Sequence, residues 1–409
     1  MRAFLEVVRL ELKALVRSKT ALFLLVASVA WMVAFPSLVR GDGTAAGLRE
    51  LDVHFSLGGV FALLVVALLA SATGALARER AAKRLQLTLV RPVGRVALIL
   101  GKAVAHVAVG AAVLAVACGI LASRVDCATP CSHVLSPILP SVQAEAEQMY
   151  AFYMADTNTP SAVRHAPKAT VLRLLANRAI DRYETVGTNA VARWRFAAPG
   201  DAVRIRFTNQ FEMRQDVCGV FRSGTAECAV SNITQAIVVV PFKGADAELA
   251  FENRGTSALM LRPRRDVNVL ATADSFLGNL LRAYVVLVSV LALVVSLGLF
   301  LGAGLSRPVA LFVAFVTLAV GEMSPSVVEQ YPDELETNLP DRIGLVITRF
   351  AASVTRPVSA FSPLEALAKD ECVEPSRVLG LAFANLVGLP ILLALLGAFV
   401  LPRKQDDLV

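Results

Sequence analysis

Five long apolar runs constrain this chain more than any other feature. They cover residues 21–39, 57–77, 96–122, 283–305 and 378–401. Because a transmembrane helix needs about 20 mostly apolar residues, each run predicts one span. A weaker run at 309–321, extended toward Val328, gives a sixth. Hydrophobic residues make up 56% of the 409 and charged residues 18%, which is typical of a membrane protein.

The charged residues predict how the spans are oriented. Short segments at 1–20 and 78–95 and the tail after 401 are basic, whereas 324–377 is acidic. Since basic short loops mark the cytoplasmic side, six spans place both termini inside. We expect a multi-pass protein of the plasma membrane, here the bacterial inner membrane, with the lipid bilayer as a partner. The net charge of +7 is then explained by topology, and we expect no nucleic-acid partner.

Residues 1–20 have the pattern of an amphipathic interfacial helix. One face is apolar and the opposite face is charged, mainly with bases. Such a helix lies in the headgroup plane of a bilayer. The predicted apolar face consists of Leu5, Val8, Leu12, Leu15 and Val16.

Residues 123–275 are too polar for lipid and long enough for a domain. The part up to about Val186 has helical periodicity, and the remainder has strand patterns such as "VRIRF" and "AIVVVPF" separated by turn residues. The predicted fold class is a polytopic α-helical membrane protein with six transmembrane helices. Its extracytoplasmic α+β domain has a β-sandwich-like part. The predicted organisation is a membrane half at 21–122, this domain at 123–275, and a second half at 276–409 that contains an extracytoplasmic loop at 324–377.

Four cysteines in that domain are disulfide candidates, because an extracytoplasmic compartment is oxidising. The local pairs are Cys127 with Cys131 and Cys218 with Cys228, although four cysteines allow three pairings. Zinc is the alternative. We expect no metal, since the spacings are not C-x-x-C and no histidine pair lies nearby.

Ionisable residues inside predicted spans are functional candidates, because they are costly in lipid. Lys102 and His106 lie one helical turn apart in the third span, and Glu322 ends the weak span. The simplest expectation for Lys102 is snorkelling to the nearby interface. For His106 it is a satisfied hydrogen bond between helices, and for Glu322 interfacial placement.

No catalytic constellation stands out in the sequence. It contains no H-E-x-x-H, and no G-x-x-x-x-G-K-[ST] phosphate loop. We therefore expect a non-catalytic chain that binds no cofactor and does not hydrolyse ATP by itself.

The basic segment 78–102 has an ordered pattern beyond its charge. Glu79 is followed by alternating leucines, by the turn Arg91-Pro92-Val93-Gly94-Arg95, and by Gly101-Lys102. This order resembles the segment between the second and third spans of type-2 ABC transporter permeases. The amphipathic start resembles the elbow helix of that family, and the stretch from Phe361 to Lys404 resembles its last outer helix and sixth span. Where the family often has Gly-Thr-Leu-Glu, this chain has Lys83-Arg84-Leu85-Gln86.

The resemblance implies a permease subunit of an ABC exporter, with ATP and Mg bound by a separate dimeric ATP-binding subunit. It also implies pairing with a second copy or a related permease. The residues it assigns to coupling are Glu79, Arg80, Arg84, Leu85, Leu87, Leu89, Arg91, Pro92 and Arg95. A plain loop, basic only because topology requires it, is the simpler explanation of the charges. A membrane-anchored sensor or scaffold, whose outer domain binds a ligand or protein without transport, is the alternative function.

Overall fold

The chain divides into two compact units, one formed by Met1–Thr129 with Ser275–Val409 and the other by Pro130–Asp274. The computed structural model describes residues 2–39, 45–81, 94–125, 130–156, 159, 164–208, 214–234, 237–243, 246–330 and 362–401. Side chains are described for these residues except 2, 45–46, 81 and 321–330.

The first unit is helical. Its α-helices are α1 Arg2–Arg17, α2 Thr20–Leu38, α3 Ala45–Leu51, α4 Gly58–Ala81, α5 Arg95–Arg124, α9 Phe276–Gly304, α10 Arg307–Gln330, α11 Pro363–Ala368, α12 Pro375–Phe383 and α13 Leu389–Val400. Short π-helical turns at Asp52–Leu57 and Ala384–Gly388 join α3 to α4 and α12 to α13.

Five of these helical stretches are long and apolar enough to cross a membrane. They are Thr20–Leu38, Gly47–Arg80, Arg95–Arg124, Phe276–Gly304 and Pro375–Val400. They confirm the five strong apolar runs as helices and support a membrane protein with a separate sheet domain. The apolar part of α10, Arg307–Val320, is shorter.

Helix α9 occupies the centre of the first unit, because small residues let its neighbours approach closely. A Cβ at Gly302 would lie 2.5 Å from the Thr73 carbonyl oxygen of α4. A Cβ at Gly298 would lie 3.1 Å from the Ala72 Cβ. Such contacts are typical of helix packing in membranes, where dispersion forces replace the hydrophobic effect.

Helix α1 packs on α5 and is amphipathic, as predicted. Val7 lies against Gly101, and Leu15 is buried. By contrast, Leu5 and Val16 are more than half exposed, and their contact with the bilayer stays a prediction. Glu11 lies one turn from both Val7 and Leu15.

The described part of the second unit contains two four-stranded sheets, and the strand pairs β4–β10, β4–β7, β3–β8, β5–β8 and β5–β6 are antiparallel. Its strands are β1 Pro130–Leu135, β2 Glu184–Val186, β3 Val191–Arg195, β4 Ala202–Arg206, β5 Asp216–Ser223, β6 Ala226–Ile233, β7 Ile237–Pro241, β8 Glu248–Asn253, β9 Leu259–Leu261 and β10 Val267–Ser275. One sheet has the order β1-β10-β4-β7 and the other β3-β8-β5-β6, while β2 pairs with β9. Its helices are α6 Val142–Ala155, α7 Lys168–Ile180 and the single turn α8 Pro263–Asp266.

The two larger sheets share one apolar core. Alternate residues of β4, such as Val203 and Ile205, point into it and are buried. Phe207, at the end of β4, stacks on Phe251 of the other sheet with ring centroids 4.8 Å apart. This two-sheet packing follows from the alternating pattern that predicted the strands.

The predicted bridge between Cys218 and Cys228 is wrong, because both thiols are free. The two residues lie on paired strands, but Cys218 is opposite Ser231 and Cys228 is opposite Phe221. They therefore sit three positions out of register and on opposite faces of the sheet, which a disulfide cannot span. Cys131 is disulfide-bonded. Cys127 lies outside the described residues.

Candidate functional site

The candidate site lies where α4 ends and α5 begins, in the parts of the basic segment 78–102 that precede and follow residues 82–93. Three of the nine predicted coupling residues are described there, namely Glu79, Arg80 and Arg95. The other six, Arg84, Leu85, Leu87, Leu89, Arg91 and Pro92, lie outside the described residues. The described three all bond to other helices of the chain.

Lys102 is the centre of a buried ion cluster. Its Nζ donates to Glu11 Oε2 of α1 at 2.7 Å and to Glu79 Oε1 of α4 at 2.8 Å. The residue is 3% exposed, so the expected snorkelling is wrong. The reason is geometric: Lys102 lies about 10 Å along α5 from Arg95, and two carboxylates meet it there.

The cluster has one cation for two carboxylates. Glu79 Oε2 is buried and has no hydrogen-bond partner among the described residues. Removing one partner of a buried ion pair typically costs about 3–5 kcal/mol, because an uncompensated charge is left. The cluster therefore ties α1, α4 and α5 together and penalises their separation.

His106 makes a second connection one turn further along α5. Its Nδ1 lies 2.9 Å from the Lys102 carbonyl oxygen, and its Nε2 lies 3.1 Å from Ser71 Oγ of α4. Because a carbonyl only accepts, Nδ1 carries the proton. In the neutral ring, Ser71 then donates to Nε2. The predicted hydrogen bond between helices is confirmed for His106.

Arg80 binds the carboxyl end of α9. It donates to the carbonyl oxygens of Ala303 at 2.8 Å and Leu305 at 2.7 Å. The last carbonyls of a helix have no partner within the helix, and the helix dipole favours a cation there. Arg80 therefore acts as a side-chain cap that fastens α4 to α9.

Arg95 makes the corresponding contact at the end of α13. Its Nη1 donates to the carbonyl oxygens of Ala398 at 3.4 Å and Leu401 at 3.3 Å. These bonds are longer than those of Arg80 and correspondingly weaker. The first residue of α5 is thus linked to the last turn of the final helix.

The other end of the helical unit is also held by polar contacts. Arg49 pairs with Asp370 at 2.9 Å, and burial raises the pKa of the Asp370 carboxyl although Arg49 opposes the shift. The fully buried Asn279 donates to the Glu371 carbonyl oxygen at 2.7 Å and accepts the Val373 N–H at 2.7 Å. Asn279 therefore fixes the segment that precedes α12.

Two further predictions concern Glu322 and a metal site. Glu322 lies in the part of α10 whose side chains are not described, so its placement stays a prediction. Among the described residues, no group of three or more His, Cys, Asp or Glu side chains could hold a metal ion.

Sequence reasoning missed Glu11, Ser71 and the carbonyl ends of α9 and α13. The available signal for Glu11 was its helical spacing with Phe4, Val7 and Leu15, which puts an acid on an apolar face. The backbone carbonyls had no signal, because they are common to all residues.

Comparisons of the chain with protein-family models, with curated proteins and with solved structures gave no match in any of the three.

Proposed function

We propose that this chain is the membrane-spanning permease subunit of an ATP-driven ABC transporter that works as an exporter. A separate ATP-binding subunit docks on the basic segment between α4 and α5. In this proposal that segment and both termini are cytoplasmic, and the Pro130–Asp274 unit is extracytoplasmic. The membrane is the plasma membrane, and a second copy or a related permease completes the pathway.

The observation that supports the proposal is that residues on both sides of this segment, at the end of α4 and the start of α5, bond to other helices. Glu79 reaches α5 and α1 through Lys102, Arg80 holds α9, and Arg95 holds α13. A topology-setting loop needs positive charge but no such connections. Here a displacement of the segment, which lies between α4 and α5, would pull on three other helices, α1, α9 and α13.

Buried contacts of this kind suit the transmission of motion. Packed helices are bistable rather than continuously deformable, so a small shift at one end moves whole elements. In the proposed cycle, ATP binding closes the nucleotide subunits, which move the segment. Arg80 and Arg95 then carry that movement to α9 and α13.

The test is purification of the tagged chain from its native membranes, with a search for a co-purifying subunit that carries a G-x-x-x-x-G-K-[ST] loop and hydrolyses ATP. The docking variant is Arg84→Glu with Arg91→Glu. We expect it to lose the subunit, because charge reversal of a docking surface removes favourable pairing.

The matched control is Arg195→Glu, an exposed charge reversal in the sheet unit with a side chain that is 81% exposed. It should leave the complex intact. Retention of the subunit by the Arg84/Arg91 variant would refute docking on this segment.

The alternative, a membrane-anchored sensor or scaffold, draws on the separate sheet unit, which carries an open cleft of its own. Purification without any ATP-binding subunit, from membranes where the chain is expressed normally, would favour it.

A further inference from the structure

A cleft in the Pro130–Asp274 unit lies beside helices α6 and α7. Its volume is about 630 Å³, within the range of small-molecule sites. Eight residues line it: Gln148, Met149, Phe152, Tyr153, Arg178, Asp181, Arg182 and Tyr183. All eight belong to the Pro130–Asp274 unit.

Three of the eight lining residues are aromatic, namely Phe152, Tyr153 and Tyr183. Phe152 is 70% exposed and Tyr183 is 45% exposed, although such rings are usually buried in a core or an interface. Met149 adds a flexible apolar side chain that adapts to irregular ligands. An apolar ligand would remove this surface from water.

The net charge of the cleft is positive, because Arg178 and Arg182 line it together with a single acid, Asp181. Asp181 bonds to Arg265 at 3.1 Å, outside the cleft. Glu145 lies 3.0 Å from Arg264 but 3.6 Å from Arg182, so Arg264 holds it more closely. Arg182 is therefore only weakly paired, and its side chain is 65% exposed.

Arg178 is held in position for a ligand. Its Nη1 donates to the Tyr153 hydroxyl oxygen at 3.1 Å, which uses one of its five N–H groups. A guanidinium fixed in this way loses little freedom when it pairs with a carboxylate or phosphate.

From this combination we infer that the cleft binds an amphiphilic anion, with an acyl chain on Met149, Phe152 and Tyr183 and a carboxylate or phosphate head on Arg178 and Arg182. Fatty acids and lysophospholipids both combine an acyl chain with an anionic headgroup, and either class fits this description. The inference stands apart from the proposed transport function, since binding needs no ATP-binding subunit.

The test uses the full chain in nanodiscs of phosphatidylcholine and three photoreactive probes with the same diazirine-bearing acyl chain. The heads are a carboxylate, a lysophosphatidic acid and a neutral alcohol. Labelled peptides are mapped by mass spectrometry, so that labelling of the cleft is separated from labelling of the spans. We expect an anionic probe to label the peptides around Phe152 and Tyr183 at least about tenfold more than the alcohol, as charge-assisted hydrogen bonds imply.

The variants separate charge from structure. Arg178→Gln with Arg182→Gln should lower anionic labelling about tenfold, whereas Arg178→Lys with Arg182→Lys should retain most of it. Phe152→Ser should weaken labelling by every probe that binds. Arg195→Gln, another exposed arginine of the same unit, should have no effect.

Labelling by only one anionic probe supports the inference and identifies the source of the head. Equal labelling by the alcohol, undiminished labelling of the Arg178/Arg182 glutamine variant, or labelling confined to the spans would overturn it. Trp194 is buried in the sheet core, so its fluorescence reports whether each variant remains folded.

Discussion

At the scale of single residues, the most informative one is Lys102. A lysine in an apolar run predicts snorkelling to the interface. Here the bonds to Glu11 and Glu79 offset the cost of removing the Lys102 charge from water. Those partners lie 91 and 23 residues away in sequence. No local pattern could pair them, because each sits on a different helix.

Substitution of Lys102 by Met should strongly destabilise the helical unit. The change leaves Glu11 and Glu79 close together without a cation, and we expect a loss of about 3–5 kcal/mol in the free energy of unfolding. Denaturant titration in mixed micelles measures it.

The control for that prediction removes the acids as well. Adding Glu11→Gln and Glu79→Gln to Lys102→Met should recover much of the loss, because no unpaired charge remains. Equal stability of the single and triple variants would show that the cluster does not exist in the folded protein.

In the sheet unit, Asp201 gives a prediction with a defined pH dependence. The backbone N–H of Thr272 donates to Asp201 Oδ2 at 3.0 Å, and this hydrogen bond, with a smaller effect of Lys243, lowers the pKa of the carboxyl. Its stabilising contribution is thus present above the unfolded pKa of about 3.9 and is lost as pH falls through the folded pKa. Asp201→Asn should lower the unfolding midpoint at about pH 7, and the difference from wild type should shrink toward about pH 3. A constant difference across that range would contradict it.

The cysteines of the β5–β6 hairpin give a chemical test of the register. Cys218 is exposed, Cys118 is buried, and Cys228 lies on the core side of the sheet. A hydrophilic maleimide should label Cys218 first in the folded protein. Recovery of a peptide that links Cys218 to Cys228 after non-reducing digestion would disprove the register.

At the scale of elements, two arginines act as caps on helices distant in sequence. Arg80→Gln should lower the stability of the helical unit by about 1–2 kcal/mol, since the two short bonds to α9 are lost. Arg95→Gln should also destabilise this unit, since its bonds to α13 are lost. Thermal unfolding measures both effects, and an unchanged unfolding midpoint for Arg80→Gln would contradict the cap on α9.

The elements themselves followed largely from the sequence. Apolar runs of about 20 residues predict helices well, because a helix satisfies all of its backbone hydrogen bonds within one segment. Strand β4 was predicted because Val203 and Ile205 alternate with arginines. The contact of α1 with α5 was not predicted, because nothing in the sequence indicates that Val7 packs against Gly101.

At the scale of the whole molecule, the proposed function depends on the segment between α4 and α5, of which the structure describes the two flanking helix ends. The resemblance of the pattern from Glu79 to Lys102 implied coupling to an ATP-binding subunit. In the proposed mechanism, the bonds of Glu79, Arg80 and Arg95 to other helices transmit the movement of the segment. This route could not be predicted, since it depends on backbone carbonyls of α9 and α13.

The most direct test of the central claim is the ATPase activity of the co-purified complex in nanodiscs, with and without Arg80→Gln and Arg95→Gln together. The double variant keeps Arg84 and Arg91, so we expect the ATP-binding subunit to stay bound. We also expect the ATPase activity to lose its dependence on the permease and to fall to the level of the isolated ATP-binding subunit. Unchanged stimulation in an intact, folded complex would contradict the proposal that these two arginines carry motion from the segment into the membrane helices.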